Sequence, residues 1–366
     1  MPTRVIMHVD LDYFYAQCEE NANPSLRGKP VVVCVYSGRT EESGAVSTCN
    51  YEARKFGVHA GIPIIQAKRL LERTDATFLP MNRPLYDEVS HKIMEVLRTQ
   101  GDSFEKTGID EAYLDMTVRT DGDFEEARNL AGEIKGLIFQ QEHVTCSIGV
   151  APNKVIAKIA SDHQKPNGLT IVMRDVVNGF LARLPVGKIP GVGKKAERKM
   201  EELHITTISE LATLSPSILV EAFGKNLGGY LYHVARGEDD DPVQEREQPT
   251  QFSRIATLKK NTREPEEIML MLNELANSVA AKLNERKMLC KSVSVIAILE
   301  DLSIHSKSKT FESGTADVSV IKQSSRDLVQ QFLQSMPGAV LRRVGVKVSM
   351  LSRLTGQTDI SKFLMG

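Results

Sequence analysis

Residues 5–12 read VIMHVDLD, an apolar run that ends in two aspartates. Farther along, residues 109–115 read IDEAYLD, which places Asp110 and Glu111 beside another apolar run. Neighbouring carboxylates raise each other's pKa and repel, and a divalent cation removes that cost. Hard carboxylate oxygens suit Mg²⁺, which binds through a few carboxylates and substrate phosphates. Two strands that present Asp10, Asp110 and Glu111 to a pair of Mg²⁺ ions predict phosphoryl or nucleotidyl transfer, with the carbonyl of Leu11 as a further ligand.

The composition is that of an ordinary soluble globular protein. The chain has 366 residues, of which 41% are hydrophobic and 25% charged, enough for several domains and more than one core. No apolar stretch approaches the ~20 residues of a membrane helix, and the N-terminus lacks the apolar region of a secretory signal. The five cysteines are scattered, with no C-x-x-C pair, which fits a reducing cytosol. We expect a cytoplasmic protein with no membrane partner.

Charge is distributed unevenly along the chain. The net charge is −1, but residues 249–353 hold sixteen Lys and Arg against ten Asp and Glu. Residues 1–248 hold twenty-nine basic and thirty-six acidic residues. A basic C-terminal module joined to a mildly acidic body indicates an electrostatic grip on a polyanion such as nucleic acid.

The hydrophobic pattern predicts an α+β protein of several domains. Residues 1–168 alternate between strand and helix, which is typical of an α/β or split βαβ sheet. Residues 170–235 are mostly helical, whereas residues 237–248 carry six acids and one arginine and predict an exposed, extended linker. A second α+β unit follows, with strands near 253–258, 292–299, 307–311 and 341–349 and helices over 265–285 and 319–334.

A cluster of phosphate-binding side chains lies within residues 47–55, which read STCNYEARK. A helix here would place residues 48, 51 and 55 on one face. The hydroxyl of Thr48, the phenol of Tyr51 and the guanidinium of Arg54 suit a triphosphate, which arginine can bind with two parallel hydrogen bonds. Lys165, in the turn QKPNG, could direct an ammonium group at the same anion.

Residues 189–195 read IPGVGKK and precede a predicted helix. This is the pattern of a helix-hairpin-helix, in which two glycines let backbone amides approach a DNA phosphate at a helix N-terminus. Gly191, Gly193 and Lys194 are therefore candidate DNA contacts. A simple glycine turn between two helices is the alternative interpretation.

Five sequence motifs occur in the same order as in a known protein family. The sequence resembles the Y-family DNA polymerases, and most of all the archaeal DinB-type (polymerase IV/kappa-like) lesion-bypass branch. The resemblance covers essentially residues 4–350. It is carried by DLDYFYAQ at 10–17, YEAR at 51–54, IDEAY at 109–113, KPNG at 165–168 and the hairpin at 189–195.

The resemblance implies a right-hand polymerase fold. Its parts would be a ferredoxin-like palm, small fingers, a helical thumb with the helix-hairpin-helix, a linker, an α/β little finger that binds DNA, and a tail. The corresponding ranges are 1–13 and 79–168 for the palm, 14–78 for the fingers, 169–235 for the thumb, 236–246 for the linker, 247–353 for the little finger and 354–366 for the tail.

The resemblance also implies roles for individual residues. Asp10, Asp110 and Glu111 are similar to the catalytic ligands of two Mg²⁺ ions. Tyr15 resembles the steric gate that excludes a ribose 2′-hydroxyl. Further contacts implied for dNTP or for primer–template DNA are Phe14, Thr48, Tyr51, Arg54, Lys165, Arg342 and Arg343.

The implied activity is template-directed, low-fidelity translesion synthesis by a monomer. Residues 44–47 read GAVS, and small side chains facing the nascent base pair would test its geometry loosely. One position departs from the family pattern, because Gly108 stands where a serine is usual. We expect this change to remove a polar contact to the primer–template and to leave the metal ligands intact.

The C-terminal residues 357–364 read QTDISKFL and resemble a clamp-binding peptide. Gln357, Ile360, Phe363 and Leu364 would dock on a ring-shaped sliding clamp of the PCNA kind from a short helical turn. A disordered tail with chance hydrophobic residues is the alternative.

Two other functions remain open from the sequence. A palm-like nucleotide cyclase would use paired acids and a triphosphate, but it needs neither the hairpin nor the basic module. A non-catalytic DNA-binding scaffold would keep the hairpin and the basic module and would not need the acids. Primer extension in the presence of Mg²⁺ separates all three.

Overall fold

The computed structural model describes residues 3–245 and 249–354, which form two compact units. The first unit contains most of the chain up to residue 245, and the second contains residues 249–354 together with segments 35–45 and 63–65. The strands up to residue 245 are β1 (Ile6–Leu11), β2 (Val31–Tyr36), β3 (Gly44–Cys49), β4 (Thr77–Pro80), β5 (Ser103–Lys106), β6 (Glu111–Asp115), β7 (Cys146–Ala151) and β8 (Leu169–Ile171).

Helices separate these strands and then follow them. They are α1 (Phe14–Ala22), α2 (Tyr51–Arg54), α3 (Ile64–Leu70), α4 (Arg83–Arg98), α5 (Phe124–Glu142), α6 (Lys154–Ser161), α7 (Val177–Ala182), α8 (Lys194–Glu202), α9 (Ile208–Ala212) and α10 (Pro216–Val234). Single 3₁₀ turns lie at Pro24–Leu26, Arg174–Val176 and Val186–Lys188. The predicted helical stretch over 170–235 is thus α7 to α10.

A five-stranded sheet of order β5-β6-β1-β7-β8 forms the centre of the first unit. β1 pairs antiparallel with both β6 and β7, while β7 and β8 are parallel. With α4 between β1 and β5 and α5 between β6 and β7, the order β5-β6-β1-β7 is that of a ferredoxin-like βαββαβ fold. The predicted split βαβ sheet is therefore confirmed. A second sheet, of order β3-β2-β4, belongs to the segment inserted between β1 and α4.

Strand β1 is buried on both faces because helices cover each side of the sheet. Met7, Val9 and Leu11 belong to the hydrophobic core that α4 and α5 share. Ile6 belongs to the opposite core, which includes α6 and helices α7 to α10. Since side chains alternate along a strand, His8 and Asp10 project to the same side as Ile6. That alternation directs the first acid toward α6.

The predicted linker is extended but not wholly exposed. Residues 237–245 contain no helix or strand, and most of their side chains are accessible. Val243, however, is only 5% exposed, and a guanidinium nitrogen of Arg98 donates to Glu245 at 2.9 Å. The expectation of an exposed linker is therefore wrong at Val243. The charge-rich composition hid one apolar side chain that packs on the first unit's core.

The second unit is a four-stranded antiparallel sheet of order β11-β10-β12-β9. Two helices pack on one face of this sheet, where they bury the residues that alternate inward from each strand. The predicted helix over 265–285 is confirmed with the same bounds, whereas the strands run longer than predicted. The elements are β9 (Gln251–Thr262), α11 (Pro265–Glu285), β10 (Met288–Leu299), β11 (Ile304–Thr315), α12 (Val318–Ser335) and β12 (Leu341–Arg353).

None of the helices within the described residues has the length and apolar character that a membrane crossing requires.

Candidate active site

The pairing of β1 with β6 brings the two acidic motifs together. Asp10 lies directly opposite Glu111 in the antiparallel register, and the amide of Leu11 donates to the carbonyl of Asp110 at 2.8 Å. The C-terminal end of β1, which contains Asp10, lies beside the N-terminal end of β6, which begins at Glu111. The predicted adjacency of the two motifs is confirmed.

Burial and two lysines determine the charge state of the cluster. The side chain of Asp10 is 15% exposed, and burial raises the pKa of both Asp10 and Asp110. Lys165 Nζ lies 2.7 Å from Asp10 Oδ1 and 2.6 Å from Asp162 Oδ1. Although burial opposes the charged form, the carboxylates of Asp10 and Asp162 raise the pKa of Lys165. The ammonium group therefore compensates part of the acidic charge.

Glu111 differs from the two aspartates because it has two nitrogen neighbours. His8 Nε2 lies 3.3 Å from Glu111 Oε2, and the ammonium of Lys158 is in close contact with the same oxygen. These contacts, that of His8 first, lower the pKa of Glu111 to about 2. Glu111 is therefore ionised at neutral pH.

A hydrogen bond on the far side of the imidazole ring holds His8 in place. Its ring is fully buried, and Nδ1 lies 2.7 Å from the hydroxyl of Ser161. Ser161 in turn donates to the carbonyl of Lys158 at 2.8 Å. Burial lowers the pKa of His8, which favours the neutral imidazole. His8 Nε2 lies 3.3 Å from Glu111 Oε2 without ideal hydrogen-bond geometry, so this ring nitrogen faces the acid cluster.

Helix α6 carries the groups that sequence analysis missed, namely Lys158 and Ser161. The helix can approach because Gly149 on β7 has no side chain, since a Cβ there would lie 2.0 Å from the carbonyl oxygen of Ala157. One signal was available in the sequence. Residues 154–161 read KVIAKIAS, and two lysines one turn apart on an otherwise apolar helix need buried partners.

Asp12 has a structural role beside the cluster. Its carboxylate is buried and accepts hydrogen bonds from the hydroxyls of Thr145 at 3.0 Å and Ser147 at 2.8 Å and from the amide of Asn167 at 2.8 Å. The last bond ties the turn that carries Lys165 to the end of β1. Asp12 therefore positions Lys165, which sequence analysis did not foresee.

The donor set fits a divalent cation. One ligand atom from each of His8, Asp10 and Glu111 lies within 4.8 Å of the others. Carboxylate oxygens are the preferred ligands of Mg²⁺, and the buried imidazole nitrogen of His8 that faces them is a further potential ligand atom. The residues present can therefore hold a metal ion, and Leu11, the last residue of β1, ends the strand beside them.

The predicted steric gate is held by a second ring that the sequence did not reveal. Tyr15 stacks on Tyr86 with ring centroids 4.3 Å apart and an interplanar angle of 11°. Tyr86 is fully buried, and its hydroxyl donates to Glu19 at 2.6 Å. Phe14 is buried in the core below Tyr15. A nucleotide contact by Phe14, which is only 2% exposed, stays a prediction.

The phosphate-binding residues do not share one helix. Thr48 lies in β3, and α2 begins only at Tyr51, after the side chain of Asn50 caps it. The predicted common helical face for residue 48 is therefore wrong, because β-strand structure continues to Cys49. Tyr51 and Arg54 do belong together, since the guanidinium carbon lies 4.6 Å from the ring centroid of Tyr51. The Tyr51 hydroxyl is buried without a partner.

Gly108 lies against the acids. A Cβ at this position would be 3.0 Å from Glu111 Cγ and 3.3 Å from Asp110 Oδ1. A serine here would therefore crowd both carboxylates. The loss of a primer–template contact, which we expected from the sequence, stays a prediction, but the nearest neighbours of this position are the acids themselves.

The predicted hairpin has the expected local geometry. Gly191 has a φ of 84°, which favours glycine, and Gly193 is the N-cap residue of α8, so Lys194 begins that helix. The hydroxyl of Tyr230 donates to the carbonyl of Pro190 at 2.7 Å and fixes the turn. The element before the turn is the short 3₁₀ helix at Val186–Lys188.

The predicted DNA contacts of the little finger lie at an irregularity in the sheet. Ile298 pairs with Arg343 and Leu299 with Leu341, so the ladder skips Arg342. Such a bulge can redirect a side chain. Arg343 is exposed and Arg342 is partly buried. The clamp-binding residues Gln357, Ile360, Phe363 and Leu364 lie outside the described residues.

Comparison with known proteins identifies the family. The impB/mucB/samB family matches residues 9–162, its C-terminal domain matches residues 249–360, and the thumb domain of DNA polymerase-iota matches residues 187–239. The chain is 45% identical over 364 residues to DNA polymerase IV of Nitrosopumilus maritimus, covering 99% of this chain and 100% of the relative. It is 40% identical over 352 residues to DNA polymerase IV of Saccharolobus solfataricus, covering 96% and 98%.

Solved structures agree with the sequence relatives. A Y-family DNA polymerase chimera, Dbh-Dpo4(243-245)-Dbh, superposes with a TM-score of 0.89 at 39% identity, over 95% of this chain and 99% of the other. An insertion ternary complex of Dbh DNA polymerase gives a TM-score of 0.68 at 39% identity, over 94% and 98%. The ferredoxin-like sheet with its paired acids and the hairpin agree with the family of these relatives. The chain belongs to the Y family of DNA polymerases, in its DinB-type branch.

Proposed function

We propose that this DNA-directed DNA polymerase performs template-directed nucleotidyl transfer at the cluster of Asp10, Asp110 and Glu111, in low-fidelity translesion synthesis. The observation that carries the proposal is the pairing of Asp10 with Glu111 across β1 and β6, which gathers carboxylates at one point with a spacing that a cation can bridge. The reaction joins a dNTP to the 3′-hydroxyl of a primer and releases pyrophosphate.

We assign two Mg²⁺ ions to this cluster, with Asp10, the carbonyl of Leu11, Asp110 and Glu111 as ligands. Bound there, the ions would supply Lewis-acid activation of the 3′-hydroxyl and charge neutralisation at the triphosphate. Glu111 is ready for this role because its pKa is lowered to about 2. Burial raises the pKa values of Asp10 and Asp110, and a neighbouring cation would stabilise their ionised forms.

The triphosphate would be held by groups that already border the acids. Tyr51 offers a buried hydroxyl without a partner, and Arg54 lies over its ring. Lys165 is anchored at its turn by Asp12 and can exchange a carboxylate for a phosphate. With Thr48, these groups stabilise developing charge by position and electrostatics, with no covalent intermediate.

Selection of the sugar is assigned to Tyr15. Its ring stacks on the buried ring of Tyr86, so it cannot easily turn aside. A rigid ring rejects an added hydroxyl more strongly than a mobile one does, because accommodation would break the stack. We therefore propose that deoxyribonucleotides are preferred for this physical reason.

DNA binding is assigned to two surfaces. The amides at Gly191 and Gly193 and the side chain of Lys194 would contact a backbone phosphate, supported by the positive φ of Gly191 and the helix that starts at Lys194. Arg342 and Arg343 would contact the template backbone from the sheet of the second unit. Such contacts hold the duplex without reading its sequence, which suits a polymerase that must accept any template.

The remaining assignments concern partners and location. We propose that the enzyme works as a monomer in the cytoplasm and that Gln357, Ile360, Phe363 and Leu364 bind a sliding clamp of the PCNA kind. Removal of residues 355–366 should leave synthesis by the enzyme alone unchanged and should abolish its stimulation by the clamp. Equal stimulation of the full-length and shortened forms would exclude the tail as the docking peptide.

The central experiment is extension of a labelled primer with Mg²⁺ and single dNTPs. Addition of only the nucleotide complementary to the template, and its loss in EDTA, is the expected result. A protein that binds the duplex tightly but never lengthens the primer would instead support the scaffold function, which the family relationship does not favour.

A further inference from the structure

Lys158 occupies a position between two of the catalytic acids. Its ammonium is in close contact with Glu111 Oε2 and lies 4.0 Å from Asp10 Oδ2. Within the described part of the chain these are the only carboxylates it contacts. Its side chain is 26% exposed, so the ammonium lies within the cluster and not in open solvent.

Lys165 and Lys158 both contact the acids, but their surroundings differ. Lys165 also contacts Asp162 at 2.6 Å, so it keeps an acidic partner if it leaves Asp10. Among the described residues, Lys158 has no acidic partner outside the cluster of Asp10 and Glu111. If a cation displaces it from Glu111, its ammonium must move toward solvent or toward another anion.

The backbone that carries Lys158 is fixed. Gly149 allows α6 to pack directly on β7, and the hydroxyl of Ser161 bonds both to the carbonyl of Lys158 and to His8. The helix therefore cannot retreat from the sheet without breaking these contacts. Only the flexible lysine side chain can move away from the acids.

The acid cluster requires a nearby cation to offset the repulsion between its carboxylates. Three carboxylates in one partly buried cluster repel one another, and an ammonium between two of them relieves the repulsion. A divalent cation bound by Asp10 and Glu111 would do the same. Because both cations would bind the carboxylate of Glu111, they compete for it.

We propose that Lys158 is a built-in counter-cation, which holds Asp10 and Glu111 together in the metal-free enzyme and must leave Glu111 when a divalent ion binds. This inference rests on the proposed metal site. It assigns Lys158 a positioning role, because it acts through the acids and not on substrate. Its presence weakens binding of a bare metal ion, and the negative charge of a bound triphosphate offsets that effect.

The test measures metal affinity without DNA or nucleotide. Mn²⁺ is titrated into full-length, metal-free enzyme, and the free ion is followed by electron paramagnetic resonance. Lys158→Met, which keeps the length of the side chain but removes the charge, should tighten Mn²⁺ binding roughly fivefold, the size expected for one charge pair near a protein surface. Lys158→Arg, which keeps the charge, should leave the affinity close to that of the parent.

A matched control is available one helical turn away. Lys154 pairs with Glu105 at 2.7 Å in a buried site, outside the acid cluster. Lys154→Met should leave Mn²⁺ affinity unchanged and should lower the melting temperature equally with and without Mn²⁺. Lys158→Met should lower it in EDTA, where the acids lose their counter-cation, and saturating Mn²⁺ should close the gap.

The outcomes separate this inference from the proposed function. Mn²⁺ binding that is equal or weaker in Lys158→Met, or a melting difference that Mn²⁺ does not close, overturns the counter-cation role and leaves the metal site in place. Absence of Mn²⁺ binding in the parent enzyme overturns both.

A measurement on the parent enzyme covers the case in which the variants do not fold. Amine acetylation read by mass spectrometry reports how accessible each lysine is. Addition of Mn²⁺ should remove the protection of Lys158 and leave Lys154 unchanged. Equal labelling of Lys158 in both states overturns the inference.

Discussion

The palm sheet and the little-finger sheet use similar architecture for opposite electrostatic purposes. In the palm sheet, charged groups converge on the centre, where Asp10 faces Glu111 and lysines pair with both. In the little-finger sheet, helices cover one face, and the other face carries serines such as Ser294 and Ser308, which share a 2.8 Å hydrogen bond. Within the described residues Arg343 forms no ion pair, whereas Lys260 pairs with Glu267 at 2.9 Å and Lys309 with Asp327 at 3.8 Å.

We attribute the difference to what each sheet is proposed to bind. A small, highly charged ion needs buried carboxylates that converge on one point, and burial raises the free energy of those charges until a cation arrives. A DNA backbone is long and uniformly charged, so exposed and unpaired cations spread along a surface suit it better. The palm sheet therefore contains buried carboxylates that repel one another, whereas the little-finger sheet carries basic side chains exposed to solvent.

The largest effect should come from the palm cluster. Asp110→Ala should lower the rate of primer extension by about 10³-fold or more, because it removes a proposed metal ligand. Its DNA affinity, measured by fluorescence anisotropy, should stay nearly unchanged. Asp121→Asn, in an exposed turn of the same domain, should behave as the parent in both assays. Undiminished extension by Asp110→Ala would remove Asp110 from the metal site.

The next effect concerns the stacked gate. Tyr15→Ala should reduce discrimination against ribonucleotides by roughly 100-fold, since the ring that we propose excludes the 2′-hydroxyl is lost. Tyr86→Phe is the matched control, because it keeps the stack with Tyr15 and removes only the hydroxyl that donates to Glu19. The ratio of kcat/KM for dNTP and rNTP measures both. Unchanged sugar selectivity in Tyr15→Ala would exclude the gate role.

A smaller effect tests how the palm keeps α6 against the acids. Gly149→Ala should lower the free energy of unfolding of the first unit by about 1–3 kcal/mol, because its Cβ would overlap α6. Gly136→Ala should instead raise it by about 0.5–1 kcal/mol, since a Cβ there meets nothing within 4 Å and alanine favours a helix. Thermal unfolding followed by circular dichroism measures both, and a stable Gly149→Ala would contradict the close approach.

The smallest effect should come from the little finger, where charges act singly. Arg343→Ala should weaken DNA binding several-fold and reduce the slope of log affinity against log salt by about 1. Arg326→Ala, an exposed arginine on α12, lies on a helix that covers the opposite face and should change neither quantity. An unchanged salt slope in Arg343→Ala would show that this face does not carry the backbone contact.

Much of the fold follows from local patterns. The βαββαβ order could be predicted because buried strands and amphipathic helices alternate with clear turns, and the helix over 265–285 begins and ends where predicted. Thr48 was misplaced because a helical spacing alone cannot exclude a strand that continues to Cys49, after which the helix begins only at Tyr51. Val243 was missed because the acidic residues around it dominate the composition.

The sequence by itself determined the family, the acids and the order of the elements, since these depend on short motifs and on side-chain periodicity. Only the tertiary structure decided that Lys158, His8 and Ser161 join the acids, that Asp12 anchors Lys165, and that Tyr86 supports Tyr15. These contacts join residues far apart in the chain, and they depend on how closely α6 packs on Gly149 and which rings stack. Packing of that kind is set by three-dimensional complementarity, which no local pattern encodes.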